Sequence, residues 1–129
     1  MFPSNIILGL DAATEKDVVL LRKIIADIGL ENVLTQWNDG PNFAHLYDVL
    51  QQSGGIDLSQ RGKGRNVFMS FGVVAIALSA TSVGLLDADV RTFKRSQLDR
   101  LFYPVQVFNY QFAKAYTMPE AMESNSLVG

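Results

Sequence analysis

The sequence predicts a mainly α-helical protein with a small N-terminal helical head, one long apolar transmembrane helix and an amphipathic C-terminal arm. The first observation is that residues 66–86 contain no charged side chain over 21 positions. A helix of that length spans about 30 Å, which matches the hydrocarbon core of a bilayer. The second is that apolar residues recur at helical spacing on both sides of this run. The 129 residues therefore divide into five predicted segments: a head (1–52), a linker (53–65), the apolar helix (66–86), the arm (87–117) and a tail (118–129).

The head is predicted to consist of short helices. Thr14 is followed three residues later by Asp17, a variant of the capping box that begins a helix. Apolar residues then recur at helical spacing as far as Gly29, where the helix is expected to end. A short second helix is predicted over residues 31–37. The turn signal of residues 38–41 precedes a further helix, which is expected to end before a pair of glycines.

The linker is rich in glycine and becomes basic towards its end. Its last residues lack the spacing of a phosphate-binding loop, so no nucleotide site is predicted there. Basic side chains beside an apolar run are compatible with contact with a polyanion or with lipid headgroups, and also with a plain solvated linker. The residues expected to make this contact are Arg61, Lys63 and Arg65.

The apolar run is rich in small side chains, which allow neighbouring helices in a membrane to approach closely. The predicted helix-packing residues are Gly72, Ala75, Ser79, Ala80 and Gly84. The alternative is a soluble protein in which residues 66–86 form a buried helix or two buried strands. The remaining residues are too few to enclose such a segment, so this alternative requires an oligomer.

The arm is predicted to begin as an amphipathic helix near Val90 and to be interrupted at Tyr103 and Pro104, because proline disfavours helix at the preceding residue. Its aromatic residues are predicted to form an interface with a partner subunit, since aromatic side chains are favoured there. A pigment or quinone pocket is the alternative, and no motif specifies a cofactor. The predicted interface residues are Phe102, Tyr103, Phe108, Tyr110 and Phe112.

The polar residues suggest no reaction. There is no cysteine, and the single histidine, His45, lies near Asp48 without a set of metal ligands around it. Asp87 and Asp89 lack a partner base and are expected to mark the water boundary or to cap the next helix. We therefore predict no catalytic, cofactor-binding or metal-binding residues.

These observations together predict a non-catalytic, single-span membrane protein that serves as a structural or accessory subunit of a larger assembly. A membrane complex and a membrane-containing virion are both compatible with it. The expected partners are other protein subunits and the lipid bilayer, whereas nucleic acid is not expected because the basic residues are split by the apolar run. The second hypothesis is a soluble, mainly helical interaction module of the virion or adaptor type, in which residues 66–86 are buried in an oligomer.

Overall fold

Two short parallel strands, each followed by a helix, form the first part of the chain. The computed structural model describes residues 3–115. The strands pair in register from Ile6 with Val33 to Leu10 with Trp37. The elements in chain order are β1 (Ile6–Leu10), α1 (Glu15–Asp27), β2 (Val33–Trp37), α2 (Pro41–Gly54), α3 (Lys63–Ala77) and α4 (Arg95–Val107).

The predicted mainly α-helical class is wrong, because the head contains a β-α-β unit. Residues 31–37 were expected to form a helix, but Val33–Trp37 is strand β2. Ile6–Leu10 is an uninterrupted apolar run, which is typical of a strand in a parallel sheet. Five apolar residues are too few to distinguish strand from helix by periodicity, so only the pairing of the two runs reveals the sheet.

The predicted start of α1 is confirmed, and α2 ends within one residue of the predicted position. Thr14 caps α1, its hydroxyl accepts from the Asp17 backbone N–H, and the Asp17 carboxylate accepts from the Thr14 N–H in return. Gly29 follows α1 with a φ of 71°. Helix α2 ends at Gly54, one residue later than predicted, and its C-cap Gly55 has a φ of 64° in the left-handed region that glycine adopts without strain.

The predicted transmembrane helix is also wrong. Helix α3 begins at Lys63, three residues before the uncharged run, and ends at Ala77, so it covers only 15 residues. Most of the residues directly after Leu78 are serine, threonine, valine or glycine, and these are weaker helix formers than leucine or alanine. Within residues 3–115, no helix is both long enough and apolar enough to cross a membrane.

The chain divides into two compact units, Met1–Ala80 and Thr81–Gly129. The finer five-segment division stays a prediction, and the predicted tail at 118–129 lies outside the described residues. In the second unit, α4 starts at Arg95 rather than near Val90, and it contains Pro104 in its interior instead of ending before it.

The first unit has a small core that combines apolar and polar side chains. Its buried apolar residues are Val18, Leu58 and Met69. Three polar or charged residues are equally buried: Gln36, Asn38 and Arg65. Burying a polar group costs free energy unless it is hydrogen-bonded, so these three side chains are expected to have specific hydrogen-bond partners. Those partners define the candidate site described below.

A candidate functional site at the carboxyl ends of the strands

The two parallel strands place their carboxyl ends side by side, and an aspartate follows each of them. Asp11 comes directly after β1, and Asp39 is the second residue after β2. The Asn38 N–H donates to the carbonyl of Leu10 at 3.0 Å, so the two loops remain together beyond the last strand pair. In open α/β sheets, ligands bind in the crevice outside these strand ends. The position therefore marks a candidate site on topological grounds.

A single guanidinium joins the two aspartates. Arg65 donates through Nε to Asp11 Oδ1 at 3.1 Å, and its Nη2 forms a second, short contact with the same oxygen. Nη2 also donates to Asp39 Oδ1 at 3.0 Å. The Arg65 side chain is only 6% exposed. Arg65, the third residue of α3, therefore connects the carboxyl ends of both strands.

Backbone donors complete the coordination of both carboxylates. The Gly62 N–H donates to Asp11 Oδ2, which places that carboxylate at the N-terminus of α3. The Ala12 N–H donates to Asp39 Oδ2 at 2.6 Å. Ala12 has a φ of 59°, a left-handed conformation that alanine adopts rarely. The hydrogen bond that its N–H donates to Asp39 stabilises this conformation. The loop after β1 thus depends on a side chain that follows β2.

Arg61 and Tyr47 surround the carboxylate–guanidinium cluster. Arg61 Nε lies 2.9 Å from Asp39 Oδ1, but its own side chain is 62% exposed. The Tyr47 ring lies under Arg65, with its centroid 5.4 Å from the guanidinium carbon. The Tyr47 hydroxyl donates to the carbonyl of Asn38 at 2.8 Å. We call Asp11, Asp39, Arg61 and Arg65 the strand-end cluster; it has two acidic and two basic members, and Arg61 is its exposed cation.

A second layer of contacts, made of carboxamides, lies behind this cluster. Asn66 donates through Nδ2 to the carbonyl of Gly9 at 3.1 Å, and its Oδ1 accepts from Asn38 Nδ2 at 3.0 Å. Gln36 Nε2 donates to Asn38 Oδ1 at 2.9 Å and lies 3.3 Å from Asn66 Oδ1. Gly9 is the register partner of Gln36, so both face α3. The amide layer therefore joins both strands to the start of α3.

The cluster shifts the pKa values of two of its members, Asp39 and Arg65. Partial burial by itself raises the pKa of Asp39, but hydrogen bonds from Arg65 and the Ala12 N–H and the charge of Arg61 lower it by more, so the net pKa lies below its ordinary value. For Arg65, burial opposes the charged form, yet the bonds to Asp11 and Asp39 dominate and raise the pKa. Both groups are therefore charged at neutral pH. Within residues 3–115, no three His, Cys, Asp or Glu side chains lie together as metal ligands.

The lowered pKa of Asp39 predicts a stability that falls in acid. Asp39 has a lower pKa in the folded chain than its unfolded value of about 3.9, so its contribution is complete above that value and is lost as the pH falls through the folded pKa. We expect the urea midpoint to decrease below about pH 5. The variant Asp39→Asn should show a flatter pH profile. An identical profile in the variant would show that Asp39 is not responsible.

The structure places the predicted site residues in different environments. Arg65 is committed to the two aspartates, Arg61 pairs with Asp39, and Lys63 is the first residue of α3. Among the predicted packing residues, Gly72 and Ala75 lie on α3, Ser79 and Ala80 follow it, and Gly84 lies in the second unit against the Phe102 ring. The predicted interface residues Phe102 and Tyr103 are on α4, and Phe108, Tyr110 and Phe112 follow it. The contacts predicted for all these residues remain predictions.

Sequence reasoning missed Asp11 and Asp39, although a usable signal was present. Asp11 follows a short apolar run, Asp39 follows a short segment that contains β-branched and aromatic residues, and a helix with clear capping residues separates the two. Short apolar runs alternating with helices are the pattern of β-α-β units. Asn38, Asn66 and Gln36 carry no comparable signal, because single amides occur throughout the surfaces of proteins.

The fold and the cluster define a class: the first unit is a β-α-β arrangement with a charged site at the carboxyl ends of its strands. Two curated relatives match nearly the whole chain, and both are named glucosyl-3-phosphoglycerate synthase. The one from Persephonella marina is 37% identical over 114 residues, which cover 87% of this chain and 28% of the relative. The one from Methanococcoides burtonii is 26% identical over 129 residues, which cover 98% of this chain and 31% of the relative. The chain thus spans less than a third of either relative's length.

These relatives overturn the predicted function. Both are named as synthases, which are enzymes, so the prediction of a non-catalytic structural or accessory subunit is contradicted. The predicted single-pass membrane localisation is wrong as well, since no helix in residues 3–115 can span a bilayer. The virion assignment has no support. No protein-family model matches the chain, and no solved structure gives a significant match.

Proposed function

We propose that this chain provides the strand-end substrate site of an enzyme that transfers glucose to 3-phosphoglycerate. The observation that carries the proposal is the strand-end cluster, which joins two loops and α3 at the edge of a parallel sheet where α/β proteins bind ligands. The names of the two relatives supply the reaction. Each match covers at least 87% of the chain and therefore includes most of the segment that builds this cluster.

The chemistry of the named product explains why a charged site is needed. The phosphate of 3-phosphoglycerate occupies its third carbon, so the only free hydroxyl is on the second carbon. Transfer forms a bond from the anomeric carbon of glucose to that hydroxyl oxygen, breaks the bond to the donor's leaving group and releases the hydroxyl proton. The acceptor is anionic at both ends, and an activated glucose donor with a phosphate leaving group is anionic too. Guanidinium groups bind such anions with two hydrogen bonds at once.

The members of the cluster suit different parts of this task. Arg61 is exposed and already points its Nε at Asp39, so its remaining donors are available to an anionic group. Asp11 and Asp39 are both held in place by Arg65, and carboxylates accept hydrogen bonds from sugar hydroxyls. The buried Arg65 keeps both acids in place before a ligand arrives, which reduces the ordering cost of binding.

Binding and transfer can be tested on the 129-residue chain and in a chimera. Calorimetric titration with 3-phosphoglycerate and with a panel of nucleoside diphosphate glucoses should detect binding of at least one of them. In the chimera, this chain replaces the matching segment of the Persephonella marina synthase, and formation of glucosyl-3-phosphoglycerate is followed by mass spectrometry. We expect an active chimera that loses about tenfold or more in kcat/KM on Asp39→Asn, a loss of about 1.4 kcal/mol in transition-state stabilisation.

The matched control is Arg22→Gln, which removes an exposed arginine from α1, beside Arg61→Gln at the cluster. We expect Arg61→Gln to weaken binding of the anionic ligand and Arg22→Gln to have no effect. Equal effects of the two variants would show that binding is a general response to positive charge. Absence of binding, together with an inactive but folded chimera, would refute the proposal.

A further inference from the structure

We infer that Asn66 is a positioning residue of the strand-end site, which aligns Asp39 and Arg65 through the amide layer without touching the substrate. This inference rests on the proposed function only for the claim that the site binds substrate. The alignment itself depends on contacts within the first unit. Asn66 therefore has a role that is separate from the charges of the cluster.

Two neighbouring pairs of residues carry the inference. Arg65 precedes Asn66 in α3, and Asn38 precedes Asp39 in the loop after β2. Arg65 pairs with Asp39 at 3.0 Å, while Asn66 accepts from Asn38 at 3.0 Å. The carboxamide pair thus lies beside the ion pair and joins the same two segments. Because consecutive Cα atoms are 3.8 Å apart, fixing Asn66 and Asn38 restricts where Arg65 and Asp39 can lie.

The amide of Asn66 also sets the position of the helix relative to β1. Its Nδ2 donates to the Gly9 carbonyl at 3.1 Å. An ideal Cβ added at Gly9 would lie 1.9 Å from Asn66 Oδ1, so the absence of a side chain there permits the contact. Asn66 hence connects β1, the loop after β2 and α3 through one side chain. A positioning residue requires such simultaneous contacts, since a single bond leaves the helix free to rotate.

The incomplete hydrogen bonding of Gln36 indicates that the amide layer contributes more to orienting α3 and the two loops than to the net stability of the first unit. Gln36 is 4% exposed, and its Oε1 is buried without a hydrogen-bond partner among the described residues. A buried acceptor without a partner offsets part of what the neighbouring hydrogen bonds contribute. Buried hydrogen-bond networks make a core rigid and specify one arrangement, which is the role inferred here for the amide layer.

The test compares Asn66→Ala and Asn66→Ser with Ser70→Ala. Ser70 donates to the backbone carbonyl of Asn66 at 2.9 Å, so Ser70→Ala removes a bond to the same residue without altering its carboxamide. The first readout is the NMR signal of the Arg65 Nε–H, which donates to Asp11. In both Asn66 variants we expect this signal to lose its protection from solvent exchange and Asp39 to titrate at higher pH. Ser70→Ala should retain both wild-type properties.

The second readout is ligand affinity, measured with 3-phosphoglycerate and the nucleoside diphosphate glucoses. Loss of an outer hydrogen-bond partner at metal sites typically weakens binding about 10- to 100-fold, and we expect at least the lower value here for Asn66→Ala. If the wild-type chain binds none of these ligands and the folded chimera is inactive, but the NMR changes occur, the proposed function fails and the positioning role stands. Unchanged Arg65 and Asp39 signals in both folded variants would refute the role. Loss of folding in both, with Ser70→Ala folded, would show that Asn66 is purely structural.

Discussion

The substitution Gly9→Ala is expected to destabilise the first unit by about 3 kcal/mol, at the upper end of the range for overpacked sites. An ideal Cβ at this position would lie 1.9 Å from Asn66 Oδ1 and 2.7 Å from Asn66 Cγ. The alanine side chain has no other rotamer that moves its Cβ away, so Asn66 or the backbone must shift. Either Asn66 leaves its hydrogen bonds with Asn38 and the Gly9 carbonyl, or α3 moves away from β1. A urea unfolding curve, followed by far-UV circular dichroism, measures the loss directly.

The matched control for this prediction is Gly72→Ala in α3. Apart from its chain neighbours and the backbone of α3 itself, no atom of residues 3–115 lies within 4 Å of an added Cβ at Gly72, and alanine is favoured over glycine inside a helix by about 0.5–1 kcal/mol. The two substitutions therefore add the same methyl group with opposite expected signs. A Gly9→Ala curve that coincides with the wild-type curve would show that the close packing of Gly9 on Asn66 is not present in solution.

A double variant tests the origin of the Gly9 effect. In Gly9→Ala with Asn66→Ala, the clash is removed together with the carboxamide that causes it. The double variant should be more stable than the sum of the two single effects predicts, because residues in contact show interaction energies of about 0.5–3 kcal/mol. Additive effects would instead show that Gly9→Ala lowers the free energy of unfolding through the conformation of β1, and not through contact with Asn66.

Elements defined by local signals could be predicted from the sequence. Helix α1 begins with the Thr14 and Asp17 capping pair, and the C-cap of α2 is a glycine with positive φ. Each of these signals acts within a few residues, so a single sequence contains it in full. The two strands could not be identified in this way, because β1 and β2 stabilise each other across 27 positions of the chain.

The absence of charge in residues 66–86 led to the wrong prediction of a transmembrane helix. An uncharged, apolar run does not show where a helix begins or ends. Helix α3 begins at Lys63 and includes Arg65, a charged residue that becomes buried through its pairing with Asp11 and Asp39. An arginine is rarely buried without such partners. Its burial here depends on two acids that are distant in sequence. The sequence near Arg65 therefore shows only a basic, glycine-rich segment, which is typical of a solvated linker.

Replacing Arg65 with methionine is expected to lower the free energy of unfolding by about 3 kcal/mol at pH 7, because it leaves the charges of Asp11 and Asp39 without their shared partner. Arg65→Lys should be intermediate, since an ammonium group does not reproduce the planar fork that contacts both carboxylates. The effect of Arg65→Met should diminish in acid. Protonation of Asp39 removes one of the two negative charges that have lost Arg65, and the pKa of Asp39, lowered in the wild-type chain by Arg65, rises in the variant.

Arg61→Met is the matched control for that substitution, because it removes the other guanidinium that contacts Asp39. The Arg61 side chain is 62% exposed, whereas that of Arg65 is 6% exposed. Exposed ion pairs contribute about 0–1 kcal/mol, so Arg61→Met should leave the urea midpoint almost unchanged at pH 7. Equal losses in the two variants would mean that Arg65 is no more buried than Arg61. A large loss for Arg65→Met alone would show that this arginine joins the ends of both strands, and that the site is formed before any ligand binds.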